Sequence, residues 1–184
     1  MPFFSSLREK RLWLCTLLVI VGIYSSLFLG KPMLDTFGDQ NMQAAIFMLG
    51  MLLTAATVIV HGFRIKPGSM ELTIWMGMVA VYLMFFLRLG LPERSHLMEY
   101  GVLAVFSHLA LMERARRGNA ILIPALVAFA FTFIIGILDE CIQIFLPERV
   151  FDPTDILFNG LAASIAIATI VLLRWVRKRF GKVN

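Results

Sequence analysis

The chain has 184 residues, of which 59% are hydrophobic and only 16% charged, and its mean hydropathy is +0.83. A soluble domain carries about 25% charged residues, so this composition excludes a soluble protein with one large core and describes a polytopic membrane protein. The net charge of +5 does not point to nucleic acid, because cytoplasmic loops of membrane proteins collect Lys and Arg for topological reasons.

Arg8, Lys10 and Arg11 precede an apolar run from Leu12 to Leu29. A basic start before an apolar run also opens a signal peptide. This run is longer than a signal core and lacks a small-x-small cleavage pattern, so it is expected to be a retained first span that Gly30-Lys31-Pro32 ends. A second span is expected from Met42 to Val60, followed by a basic, turn-rich loop from His61 to Gly68. The third runs from Leu72 to Leu89 and the fourth from His96 to Met112. The fifth, from Ala120 to Leu146, would be roughly 40 Å long, more than the hydrocarbon thickness. The sixth runs from Pro153 to Val176, with Ala162, Ala163, Ser164, Ala166 and Ala168 offering a small-residue surface for close packing. The fold expected is an all-α bundle of about six transmembrane helices forming a single membrane domain over residues 1–184.

Charge sets the orientation. With a cytoplasmic N-terminus, the inside segments hold 13 of the 17 basic residues and leave Lys31, Arg88, Arg94 and Arg149 outside. Both termini are therefore expected in the cytoplasm. Cys15 and Cys141 then lie near opposite faces, too far apart to pair, and read as small buried hydrophobes.

Topology and helical spacing together bring the polar residues to one place. The fourth span begins at the outer side with His96, Glu99 and Tyr100, which share an arc of about 100°. The fifth ends at the same side with Asp139, Glu140 and Gln143, and the sixth begins there with Asp155 and Asn159. Ionisable groups at a hydrophobic boundary are costly and mark function by default. Adjacent carboxylates repel unless a cation or a proton neutralises them, and Arg149, Arg94 or a metal ion could do so at Asp139-Glu140. A metal would draw on His96, Glu99, Asp139, Glu140 and Asp155, though residue spacing identifies neither a metal nor any other cofactor. Local helix chemistry also has a use for the acids near the sixth span. Asp152 suits the N-cap of that helix, Pro153 its first position, and Asp155 the third position of a capping box.

These same residues carry a resemblance. His96-x-x-Glu99-Tyr100, then Asp139-Glu140-x-x-Gln143-x-Phe145-x-Pro147-x-Arg149, then Asp155-x-x-x-Asn159-Gly160 resemble the VanZ-like family in order and spacing, over roughly residues 92–164. Glu148 stands where that family usually has Gly, and the first three spans carry no matching motif. The resemblance implies a bacterial plasma-membrane protein connected with resistance to the glycopeptide teicoplanin; it brings no settled reaction with it.

Three functions follow as expectations. In the first, the outward polar residues act on an envelope component such as a lipid-linked phosphate. His96, Glu99, Tyr100, Asp139, Glu140, Gln143, Asp155 and Asn159 would do the chemistry, and Arg94 and Arg149 would bind the anion. In the second, the protein binds a glycopeptide or its lipid target, or scaffolds a partner enzyme, without catalysis. The third, a proton-coupled lipid transporter, is disfavoured by the lack of an inverted repeat or a midplane carboxylate. No nucleophile elbow, P-loop, dinucleotide fingerprint or paired-cysteine motif is present.

Overall fold

A computed structural model describes residues 4–37, 68–88, 91–117, 123–147 and 150–180. Among them every long element is an α-helix: α1 (Leu7–Phe37), α2 (Ser69–Arg88), α3 (Leu91–Arg116), α4 (Pro124–Gln143) and α5 (Pro153–Phe180). The expected span from Met42 to Val60 lies outside the described residues.

Helix boundaries follow local chemistry in most places. Ser6 Oγ accepts the Glu9 amide at 3.0 Å, while the Glu9 carboxylate takes the Ser5 amide at 2.7 Å, so α1 opens with a capping-box variant shifted by one residue. Ile123 is extended and Pro124 follows at the first helical position, where its missing N–H costs nothing. That start shortens the expected fifth span at both ends. At 20 residues α4 is about 30 Å long, so it matches the hydrocarbon thickness and has no excess length to project. The first span is corrected in the other direction, because α1 continues through Gly30-Lys31-Pro32 to Phe37. A proline removes one backbone hydrogen bond from a helix, and membrane helices tolerate that loss.

Among the described residues three helical stretches are long and apolar enough to cross a bilayer: Leu7–Phe28, Pro124–Gln143 and Pro153–Arg179. Large apolar side chains, including Leu17, Leu18, Val21, Leu126 and Ile134, point outward from them. An apolar exterior of this extent suits lipid rather than water. The more polar α3 packs against α1, α4 and α5 and is the helix around which the others gather; protein neighbours on several sides replace the lipid that would otherwise demand an apolar surface. α2 packs on the outside of α5.

Small residues let the helices approach. Ala104, Ala128, Ala163 and Ala166 are buried together with Leu111 and Ile167, and Ala162 joins Ile23, Leu97, Tyr100 and Leu103. Of the small residues expected on the packing face of α5, Ser164 and Ala168 instead face outward. They sit about 100–200° of helical rotation from the buried alanines beside them. Neither cysteine is buried as expected: Cys15 is half-buried and Cys141 exposed. Cys141 follows Glu140, which points into the bundle, so one step of about 100° turns it away.

The two ends of the bundle differ in charge. At one end the first turn of α1 and the last turns of α3 and α5 come together. Arg114 lies 3.5 Å from the buried Glu9, Ser6 donates to Glu113 at 3.2 Å, and Arg177 pairs with Glu71 at the start of α2. The other end gathers the start of α3, the end of α4 and the start of α5, with the acidic residues singled out above.

Candidate functional site

Three helix ends build the candidate site. From α3 comes His96, whose Nε2 lies 3.6 Å from Asp155 Oδ2 on α5. One turn further along α3, Tyr100 is fully buried, its ring stacked 6.0 Å from that of His96 and its phenol against the Asp139 carboxylate. The i, i+4 spacing puts the two rings on one face. Glu99 is half-buried beside Tyr100.

α4 contributes Asp139, Glu140 and Gln143, all buried. Gln143 Nε2 donates to Glu140 Oε1 at 2.8 Å, and the Asp152 amide approaches Glu140 Oε2 at 3.4 Å. The Glu140 carboxylate is thereby held from its own helix and from the loop leading into α5. Asp139, Asp152 and Asp155 all repel its charge. One ligand-capable atom from each of His96, Asp139 and Glu140 lies within 4.8 Å of the other two.

α5 begins where its sequence predicts. Asp152 caps it, with Oδ1 accepting the Thr154 hydroxyl at 2.6 Å and the Thr154 amide at 2.8 Å. These two bonds hold the Asp152 carboxyl below the usual carboxylate range. Asp155, three residues into the helix, turns Oδ2 toward His96 rather than serving the start of the helix alone. Asn159, one turn deeper on α5, is fully buried, and neither its side-chain oxygen nor its nitrogen has a hydrogen-bond partner.

Asn159 and Gly136 decide how closely α4 and α5 approach. A Cβ at Gly136 would stand 3.0 Å from Asn159 Cβ and Nδ2 and 3.3 Å from Tyr100 Cε1. Gly136 therefore keeps open the line of contact below Asp139 and Glu140, a role the sequence reading missed; only its position three and four residues before the two carboxylates hinted at it. Tyr24 of α1 was missed too, and it approaches both Tyr100 and Asp139 from a helix outside the motifs.

Of the ten residues selected from sequence, the structure brings His96, Glu99, Tyr100, Asp139, Glu140, Gln143, Asp155 and Asn159 to one end of the bundle. Arg149 lies outside the described residues, as does the side chain of Arg94. A cleft of about 500 Å³ lies elsewhere, between α1 and the α3–α4 side, lined by Trp13, Leu17, Ile20 and Phe131 together with Lys10 and Arg114. Its walls are almost wholly apolar, and it shares no residue with the acidic cluster.

No curated protein and no solved structure gives a significant match to the chain. The family model described as VanZ/LLP1 matches residues 3–174, so the similarity extends well beyond the motifs of residues 92–164 and takes in α1 and α2. With a match across nearly its whole length, and with the motif residues of three helices gathered at one end of an apolar bundle, this membrane protein belongs to the VanZ/LLP1 family.

Proposed function

We propose that the protein is a multi-pass plasma-membrane protein with both termini in the cytoplasm. Its acidic cluster faces the outer leaflet, where it acts on a lipid-linked phosphate or related envelope precursor and so lowers susceptibility to glycopeptides such as teicoplanin. The observation that carries this reading is the convergence of His96, Asp139 and Glu140 within 4.8 Å at the end of the bundle away from the basic helix termini. A pair of carboxylates beside an imidazole supplies groups that can take up and deliver a proton. Arg94 and Arg149 would hold the anionic headgroup by paired hydrogen bonds. The orientation follows from the basic residues: Arg8, Lys10 and Arg11 begin α1 and Arg177, Lys178 and Arg179 end α5, both at the end opposite the cluster.

The test is susceptibility. Expressed in a teicoplanin-susceptible Gram-positive host, the protein should raise the inhibitory concentration, and Glu140→Gln should return it to the value of the empty vector at equal membrane levels. Equal protection by Glu140→Gln would refute a chemical role. A graded loss, the same for Glu140→Gln, Tyr100→Phe and Asn159→Ala, would favour the binding or scaffold function over chemistry.

A further inference from the structure

The arrangement around Glu140 has more than a pair of repelling acids. Metal-ligating carboxylates are themselves hydrogen-bonded, and a metal-ligating histidine presents its second ring nitrogen to a carboxylate that fixes the ring. Glu140 shows the first, and His96 has the carboxylate of Asp155 nearby for the second. Glu140 Oε1 accepts from Gln143 at 2.8 Å, with the Asp152 amide 3.4 Å from Oε2. His96 faces Asp155 with Nε2 at 3.6 Å, and its Nδ1 is buried with no hydrogen-bond partner.

A second observation is independent of the acids. Asn159 is fully buried on α5, one turn below Asp155, and both ends of its amide lack partners. Its Nδ2 sits against Gly136, on the α4 face that carries Asp139 and Glu140 one turn further on. A buried amide left with no partner is costly. A hydrated ion held one turn above would give such an amide a bound water to bond.

We propose that His96, Asp139 and Glu140 bind one first-row divalent cation, with Asp155, Gln143 and Asn159 ordering the ligands and the bound water. The donor set narrows the ion. Carboxylates with one imidazole suit Mn²⁺ or Zn²⁺, whereas Ca²⁺ and Mg²⁺ favour all-oxygen sites and thiolate-rich sites select softer ions. The inference rests on the proposed outward-facing site, to which it adds a cation that would bridge the protein and a phosphate.

Metal binding is read without any susceptibility assay, so it can fail while the functional reading survives. The full-length protein, purified in detergent and stripped with a chelator, is titrated with MnCl₂ and with ZnCl₂ by calorimetry. One equivalent of at least one ion should bind. His96→Ala and Glu140→Gln should each weaken binding by at least tenfold and Asp155→Asn by about 10–100-fold, the range for residues that orient a ligand. Glu113→Gln, at the opposite end, should bind as the unaltered protein does. A chain that binds neither ion, or folded His96 and Glu140 variants with unaltered affinity, overturns the proposal. If those variants do not elute as monodisperse protein, electron spin resonance of the Mn²⁺-loaded unaltered chain decides instead. Nitrogen hyperfine coupling from one imidazole supports the site, and its absence overturns it.

Discussion

Gly136 has no room for a side chain at the candidate site, since a methyl group there would meet Asn159 at 3.0 Å and the Tyr100 ring at 3.3 Å. The contacted atoms are a Cβ, an amide and an aromatic carbon, all buried, so none swings away cheaply. Gly136→Ala is therefore expected to lower the melting temperature in detergent by an amount corresponding to about 1–3 kcal/mol, the usual cost of overpacking. Gly77 in α2 is the matching control. Nothing lies within 4 Å of a Cβ there, so Gly77→Ala should leave stability unchanged or raise it by about 0.5–1 kcal/mol through the better helix propensity of Ala. Equal melting temperatures for the two variants would show that α4 and α5 are not held at this distance. Asp152 gives the residue scale its pH dependence. Its folded carboxyl titrates below the ordinary range because Thr154 donates to it, so its contribution is present above the unfolded value and is lost as pH falls through the lowered one. Thr154→Val removes the hydroxyl bond but keeps the amide bond, so it should reduce the acid-side part of that dependence in a melting profile measured against pH.

The elements divide by how much of their behaviour is local. Ser6-x-x-Glu9 opens α1 as a capping-box variant that the sequence reading missed, and the start of α1 uses both side chains. Ser6→Ala should cost about 1 kcal/mol, the common value for a lost N-cap. What the pattern does not show is that Glu9 is fully buried and faces Arg114 of α3, more than a hundred residues away. Arg114→Ala leaves that carboxylate without its guanidinium. Its cost should exceed that of Lys10→Ala, a neighbour for which no ion pair is present among the described residues, and thermal melts of the two variants side by side would decide it. α3 shows the limit of reading spans from hydropathy. Its charged and polar residues keep it below the apolarity of the other long helices, yet it is the one enclosed by α1, α4 and α5. Burial in protein, rather than lipid contact, is what its composition records.

For the molecule as a whole, the separation of charge between the two ends is the basis of the proposed orientation, and it is open to a direct test. In a background without Cys15 and Cys141, a cysteine at the exposed Thr154 should react with a membrane-impermeant maleimide in intact cells, whereas one at the exposed Lys178 should react only after the membrane is opened. The reverse pattern would invert the topology and place the acidic cluster in the cytoplasm, which would end the outer-leaflet reading.

Local sequence was enough to establish the helical class, the membrane setting, the family and the start of α5, and to name the eight described residues that meet at one end of the bundle. Each of these depends on short-range features: apolar runs of sufficient length, a proline and an aspartate at a helix start, and motifs of short spacing. The alternation of successive spans then carried the start of one helix, the end of the next and the start of the third to the same side. Four things needed the folded chain: that α3 is central, that Asp155 faces His96, that the Asp152 amide reaches Glu140, and that Asn159 lies against Gly136. The physical reason is that lipid offers no hydrophobic preference for one helix neighbour over another. The rotation and partners of each helix are set by how closely small residues such as Gly136, Ala162 and Ala163 let backbones approach, a property of two surfaces together that no single stretch of sequence contains.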